Sequence, residues 1–180
     1  MDDADKFART LLEEAKRFLE KANVDAEDGG RQAYLHAALN LGFCALEAHI
    51  NAVANEIAAH KEFSAPHDQG VLLEKEVRLD KGLFKLTGLR IYPLTDRISF
   101  IYRRIKGKPL DSSAQWWSDL AIATELRNRL THPKDRPSIK FKDVKNALVA
   151  TVKATDVLYR AVYNKPFPPA GRGLNSKLNF

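Results

Sequence analysis

The chain has 180 residues, 44% of them apolar, a net charge of +6 and a single cysteine, Cys44. That length and apolar content suit one domain around one core, and a lone cysteine excludes both a disulfide scaffold and a thiolate zinc cluster. No run of about 18 apolar residues stands out, and the start Met1-Asp2-Asp3-Ala4-Asp5 lacks the basic-then-apolar order of a signal peptide, so a soluble, cytoplasmic protein without a membrane partner is expected.

The first expected element is an amphipathic helix over 3–22, with Phe7, Leu11, Ala15, Phe18 and Ala22 at helical spacing and charges on the other faces. It lies in an acidic segment: residues 1–28 hold nine acids (Asp2, Asp3, Asp5, Glu13, Glu14, Glu20, Asp25, Glu27, Asp28) against five bases. Asp28-Gly29-Gly30 breaks the pattern. Residues 31–60 then carry a stripe of Leu35, Leu39, Phe43, Leu46, Ile50, Val53 and Ile57, which marks a long central helix. Cys44, inside this stretch, is expected to be a buried, reduced core residue. Beside the apolar stripe, His36, Asn40, Glu47 and Asn51 fall within about 60° of one another, so four polar groups line one helix edge.

Residues 61–92 mix Pro66, Gly70, Gly82 and Gly88 with short apolar runs and read as an irregular insertion with one short helix near 70–78; no strand-like alternation of useful length appears. Pro93 opens a helix to about Ile105 through Ile98 and Ile101, and Gly107-Lys108-Pro109 stops it. Ser112 or Ser113 caps the next helix, over 114–131, which Pro133 ends by pushing His132 out of the helical region. A last helix spans 140–163, with Val144, Leu148, Val152, Tyr159 and Val162 on one side. Residues 164–180, with Pro166, Pro168, Pro169, Gly171 and Gly173, read as an extended or mobile tail. The whole predicts an all-α protein: one antiparallel helical bundle of four to five main helices over 1–163, interrupted around 61–92.

Positive charge gathers after His132. Residues 133–180 hold ten bases (Lys134, Arg136, Lys140, Lys142, Lys145, Lys153, Arg160, Lys165, Arg172, Lys177) against Asp135, Asp143 and Asp156. Such a segment suits a polyanion such as RNA, with Lys140, Lys142 and Lys145 as phosphate contacts, although a solvated basic face has the same composition. On the preceding helix, Trp116, Leu120, Ala123 and Leu130 form one stripe with Arg127 in its middle. An unpaired guanidinium there is costly, so Arg127 needs a carboxylate, a facing subunit or a bound phosphate. Glu47 is the natural carboxylate and Asn51 a hydrogen-bonding neighbour; a hydrated edge or a seam between subunits is the other reading of that face. His49, His60 and His67 have no ligand spacing with carboxylates or Cys44, and no HExxH is present, so neither a metal nor another cofactor is expected.

The segment Arg127-Asn128-Arg129-Leu130-Thr131-His132, at the end of a late helix in a short helical chain, resembles the HEPN motif: arginine, a polar residue directly after it, spacers, and histidine at a helix end. Arg-Asn-x-x-x-His arises by accident in on the order of one chain in a hundred of this length. The resemblance covers roughly residues 1–163 in helix order, and only 127–132 match a motif. It implies a homodimer in which two protomers bring their Arg and His side chains together across a two-fold axis into one RNA cleft. The activity implied is that of a metal-independent endoribonuclease giving 2′,3′-cyclic phosphate and 5′-hydroxyl ends. His132 would then be the general acid/base, Arg127 the phosphate and transition-state contact, and Asn128 an orienting hydrogen bond. The chemistry fits the residue types, since histidine titrates near neutral pH and arginine keeps its charge. Five positions separate the two, about 140° around an ideal helix, so a second subunit or the release at Pro133 is needed to align them. Catalytic members commonly work as toxins of toxin–antitoxin pairs or as phage-defence effectors, which adds a protein antitoxin as a partner. Other members are non-catalytic modules that bind a partner protein, nucleotide or nucleic acid, and that alternative stays open.

Overall fold

The computed structural model describes residues 3–25, 27–134 and 138–180, so Asp2 of the acidic start and Asp135 and Arg136 of the basic segment lie outside the described residues. Along the chain run α1 (Asp3–Val24), α2 (Asp28–Ala58), a 3-10 turn (Lys61–Phe63), α3 (Pro66–Leu72), β1 (Lys75–Asp80), β2 (Leu83–Leu89), α4 (Leu94–Lys106), α5 (Gln115–Thr131), α6 (Phe141–Tyr163) and a second 3-10 turn (Pro168–Arg172). The described chain is mostly helical, with one two-stranded antiparallel sheet.

A short connection makes α1 and α2 neighbours, and they pack on each other more extensively than any other two described elements. The face α1 buries is Ala8, Leu12, Ala15, Leu19 and Ala22, while Phe7, expected in the core, is exposed. Both stripes have helical spacing; the buried one wins because Ala8, Ala15 and Ala22 recur every seven residues and let α2 approach closely. Helix α2 begins at Asp28, so Gly29 and Gly30 stand in its first turn instead of before it. It buries Leu35, Leu39, Phe43, Leu46, Ile50, Val53 and Ile57 as the stripe predicts, and α6 covers a further side at Gly42, where a Cβ would collide with the Leu148 side chain. By length and composition α2 could cross a membrane, but 56% of its most apolar window is buried inside the fold, as in a core helix. Cys44 corrects its expectation. It is exposed, because position 44 lies about 100° from Phe43, on a side of α2 where Ala33, Asn51 and Asn55 are exposed too.

The insertion is more regular than its composition suggests. A helix forms at Pro66–Leu72 and an antiparallel hairpin follows it. Lys81 and Gly82 both have positive φ, 49° and 81°, the combination a tight two-residue hairpin turn requires. The pairing Val77↔Leu86 gives way to Lys75↔Leu89, so β2 advances three residues while β1 advances two. This bulge breaks the period-2 alternation and hides the strand in the sequence.

Helices α4, α5 and α6 fall close to their expected spans. Pro93 precedes α4 and Gly107, at φ 66°, ends it. The N-cap of α5 is Ala114, not Ser112 or Ser113; Ser113 instead donates from its amide and hydroxyl to Asp111, at 3.0 and 2.6 Å. The tail is the larger correction. The Phe167 ring is buried, its amide donates to Asp156 at 3.0 Å, and the amides of Ser176 and Lys177 donate to Glu20 and Glu13 at 2.8 and 2.6 Å. Local proline and glycine content signals loose chain, but carboxylates on α1 and α6 need donors and the tail supplies them.

Candidate functional site

Burial of Leu120, Ala123 and Leu126 fixes the rotation of α5 and leaves Arg127 at the margin of the core, facing α2. Its guanidinium donates to Glu47 Oε1 at 3.0 Å and lies 5.2 Å from the centre of the Phe43 ring. Arg127 is 26% and Glu47 45% exposed, so the pair is open to water on one side. The Nε of Arg127 is buried and has no hydrogen-bond partner among the described residues. Cys44 is close to this pair, and partial burial with the Glu47 charge pushes its thiol above the usual value.

His132 caps α5 with φ −128° and ψ 61°, outside the helical region as Pro133 requires. Its amide donates to the Asn128 carbonyl at 2.9 Å, and the Thr131 hydroxyl turns back to the Arg127 carbonyl at 3.1 Å, so the last turn is closed. The imidazole is exposed and makes no hydrogen bond or ion pair to a described residue, nor does the exposed Asn128 side chain. Beyond the turn, Gln32 of α2 pins Ile139 through both its amide and its carbonyl, at 3.3 and 2.9 Å. Arg127 to Glu47 and Ile139 to Gln32 thus anchor the chain to α2 on either side of His132. Lys140, Lys142 and Lys145 are exposed at the start of α6.

The sequence thus anticipates the Arg127–Glu47 pair and the place of His132 at the helix end, but no hydrogen bond or ion pair between described residues joins the Arg127 and His132 side chains. Asn51 is elsewhere. It accepts from Arg97 at 2.7 Å, and the same buried guanidinium donates to the Leu72 carbonyl at 2.9 Å and pairs with Glu74 at 3.1 Å. Burial pulls Arg97 below its usual value while Glu74 and Glu47 oppose this, so the root of the hairpin is locked onto α2 one turn from Glu47. Nothing in the sequence singles out Arg97 except an arginine within a stripe of isoleucines.

Another polar cluster lies about 180° around α2 from Glu47. The Tyr159 hydroxyl donates to Asp5 at 2.6 Å, Arg9 donates to the same carboxylate at 3.0 Å, and His49 Nδ1 lies 3.3 Å from it. His49 is packed edge-on against Phe167 and Tyr159. Burial outweighs the attraction of Asp5 and lowers the His49 pKa to about 4, while burial and the Asp5 bond push Tyr159 up to about 12. A cavity of about 690 Å³ opens beside this cluster, lined also by Glu56, Tyr163 and Lys165. Its residues come from α1, α2, α6 and the tail, and only the Asp5–Arg9 spacing is visible locally. Among the described residues no group of three or more His, Cys, Asp and Glu side chains is placed to hold a metal ion. Comparison with known families, with curated proteins and with solved structures finds no match to the chain in any of the three.

Proposed function

We propose that the chain is a metal-independent endoribonuclease of the HEPN type, a helical bundle with a composite active site at a homodimer interface. The observation that carries this reading is the exposed His132 imidazole at the end of the helix that presents Arg127, with Arg127 itself open to solvent beside Glu47. In a two-fold dimer one His132 takes the proton from the 2′-hydroxyl, which attacks the phosphorus, and its symmetry mate protonates the departing 5′-oxygen. A 2′,3′-cyclic phosphate and a 5′-hydroxyl remain. Arg127 stabilises the crowded phosphate, with Asn128 orienting it, and Glu47 holds the guanidinium in place. Lys140, Lys142 and Lys145 supply phosphate contacts; the positive end of α6 repels these bases, so helix stability does not explain their position. Such an enzyme suits a toxin or phage-defence role, held in check by a partner protein.

The test is cleavage of single-stranded RNA by the purified protein in EDTA. Cleavage is expected, with a rate at least ~10²-fold lower for His132→Ala and an unchanged helical signal. Intact RNA with wild-type protein would overturn the reading. One observation favours a second reading, a non-catalytic module of the same type: Glu47 of the same subunit already neutralises Arg127. In that case RNA survives and the protein binds a partner instead.

A further inference from the structure

The large apolar side chains that the described chain leaves in water are concentrated in one element. Leu79, Leu83, Phe84, Leu86, Leu89 and Ile91 all belong to the β1–β2 hairpin or to the residues directly after it. Residues opposite one another in the pairing share a face. Val77 is opposite Leu86 and Leu79 opposite Phe84, and the bulge returns Leu89, opposite Lys75, to that same face. The other face carries Arg78 opposite Lys85 and Asp80 opposite Leu83, with a Lys85–Asp80 ion pair at 2.6 Å. One side of the hairpin is therefore apolar and the other polar.

Helix α3 packs on this apolar side without covering it. Val77 meets Gly70, and the Phe84 ring touches His67 at 5.4 Å. Even so, Leu79 is 66%, Phe84 53%, Leu86 40% and Leu89 72% exposed. With Ile91 the patch is on the order of 500–600 Å², at the upper end of what a typical monomer exposes. A two-stranded hairpin with an apolar face left largely in water is also marginally stable.

We propose that this face is a self-association surface, on which a second copy of the chain docks its own hairpin face to face across a two-fold axis. Two such faces together bury about 1,000–1,200 Å², which reaches the ~1,000 Å² that a specific interface needs. An apolar patch is complementary to itself, as a two-fold contact requires, and Lys75 at the rim is the one charged side chain the pairing puts on that face. The hairpin root is held to α2 by Arg97, which pairs with Glu74 and donates to Asn51, one turn from Glu47. The inference stands on the apolar face and does not depend on the nuclease reading.

Sedimentation equilibrium at micromolar protein tests it. Wild type is expected to be a dimer, and Leu79→Lys combined with Phe84→Lys is expected to raise the dissociation constant at least ~30-fold, the scale of losing a hot spot. Leu83→Lys, on the polar face, should leave the dimer intact, and circular dichroism should show equal helix in all three. A monomeric wild type, a double variant that stays dimeric, or a Leu83→Lys variant that dissociates as readily would each overturn the proposal. RNA cleavage followed on the same samples separates the two ideas: a hairpin-dependent dimer that leaves RNA intact removes only the nuclease, and a cleaving protein whose dimer ignores the hairpin variants removes only this one.

Discussion

Opposite faces of α2 treat charge in opposite ways. On one, Asp5, Arg9, His49 and Tyr159 form a packed cluster closed over by the tail, with large shifts at His49 and Tyr159. On the other, Glu47 and Arg127 meet at a similar distance yet stay in water, and His132 nearby is exposed. The difference teaches that burial, not proximity, decides whether a charged group is bound into stability or left free for chemistry. A half-exposed pair contributes below about 1 kcal/mol, whereas breaking a buried network strands desolvated partners.

Substitutions at the two faces test that contrast. Asp5→Ala has the largest expected effect: it leaves the Tyr159 hydroxyl without its acceptor and Arg9 with only the Tyr159 oxygen, and should cost about 3–5 kcal/mol, read as a lowered urea midpoint. A protein that loses less than about 1 kcal/mol would show that water reaches the cluster.

The pH dependence comes next. His49 holds its proton below about pH 4 in the folded chain, against about 6.5 unfolded. Between those values the unfolded chain carries the extra proton, so stability is full above about pH 6.5 and falls by about 3 kcal/mol as pH drops toward 4. Urea titrations across this window should show that slope for wild type, with Asp5 and Arg9 modulating it, and a flatter one for His49→Leu.

Glu47→Gln sits at the small end. Stability should change by less than about 1 kcal/mol, because Arg127 keeps an oxygen acceptor and water access. A loss above about 2 kcal/mol would place this pair with the buried kind and weaken its availability for phosphate.

Much of this was within reach of the residues alone. Pro93, Gly107 and Pro133 mark helix ends through local sterics, and the position of Arg127 in an apolar stripe demands a carboxylate that the edge of α2 carries at Glu47. Asn51 lies on that same edge, but the competing donor is Arg97, on a helix whose packing no spacing rule describes. The hairpin escapes because its bulge erases alternation, and Cys44 because an apolar helix does not announce which side lacks a neighbour.

By itself the sequence determined the spans of α2, α4, α5 and α6, since helical periodicity, prolines and glycines act over a few residues. Only the tertiary structure decided which stripe of α1 is buried, where the tail lies and what Asp5 bonds. Those depend on groups such as Tyr159, 154 residues from Asp5, and on the competition among surfaces to leave water and among buried carboxylates to find donors.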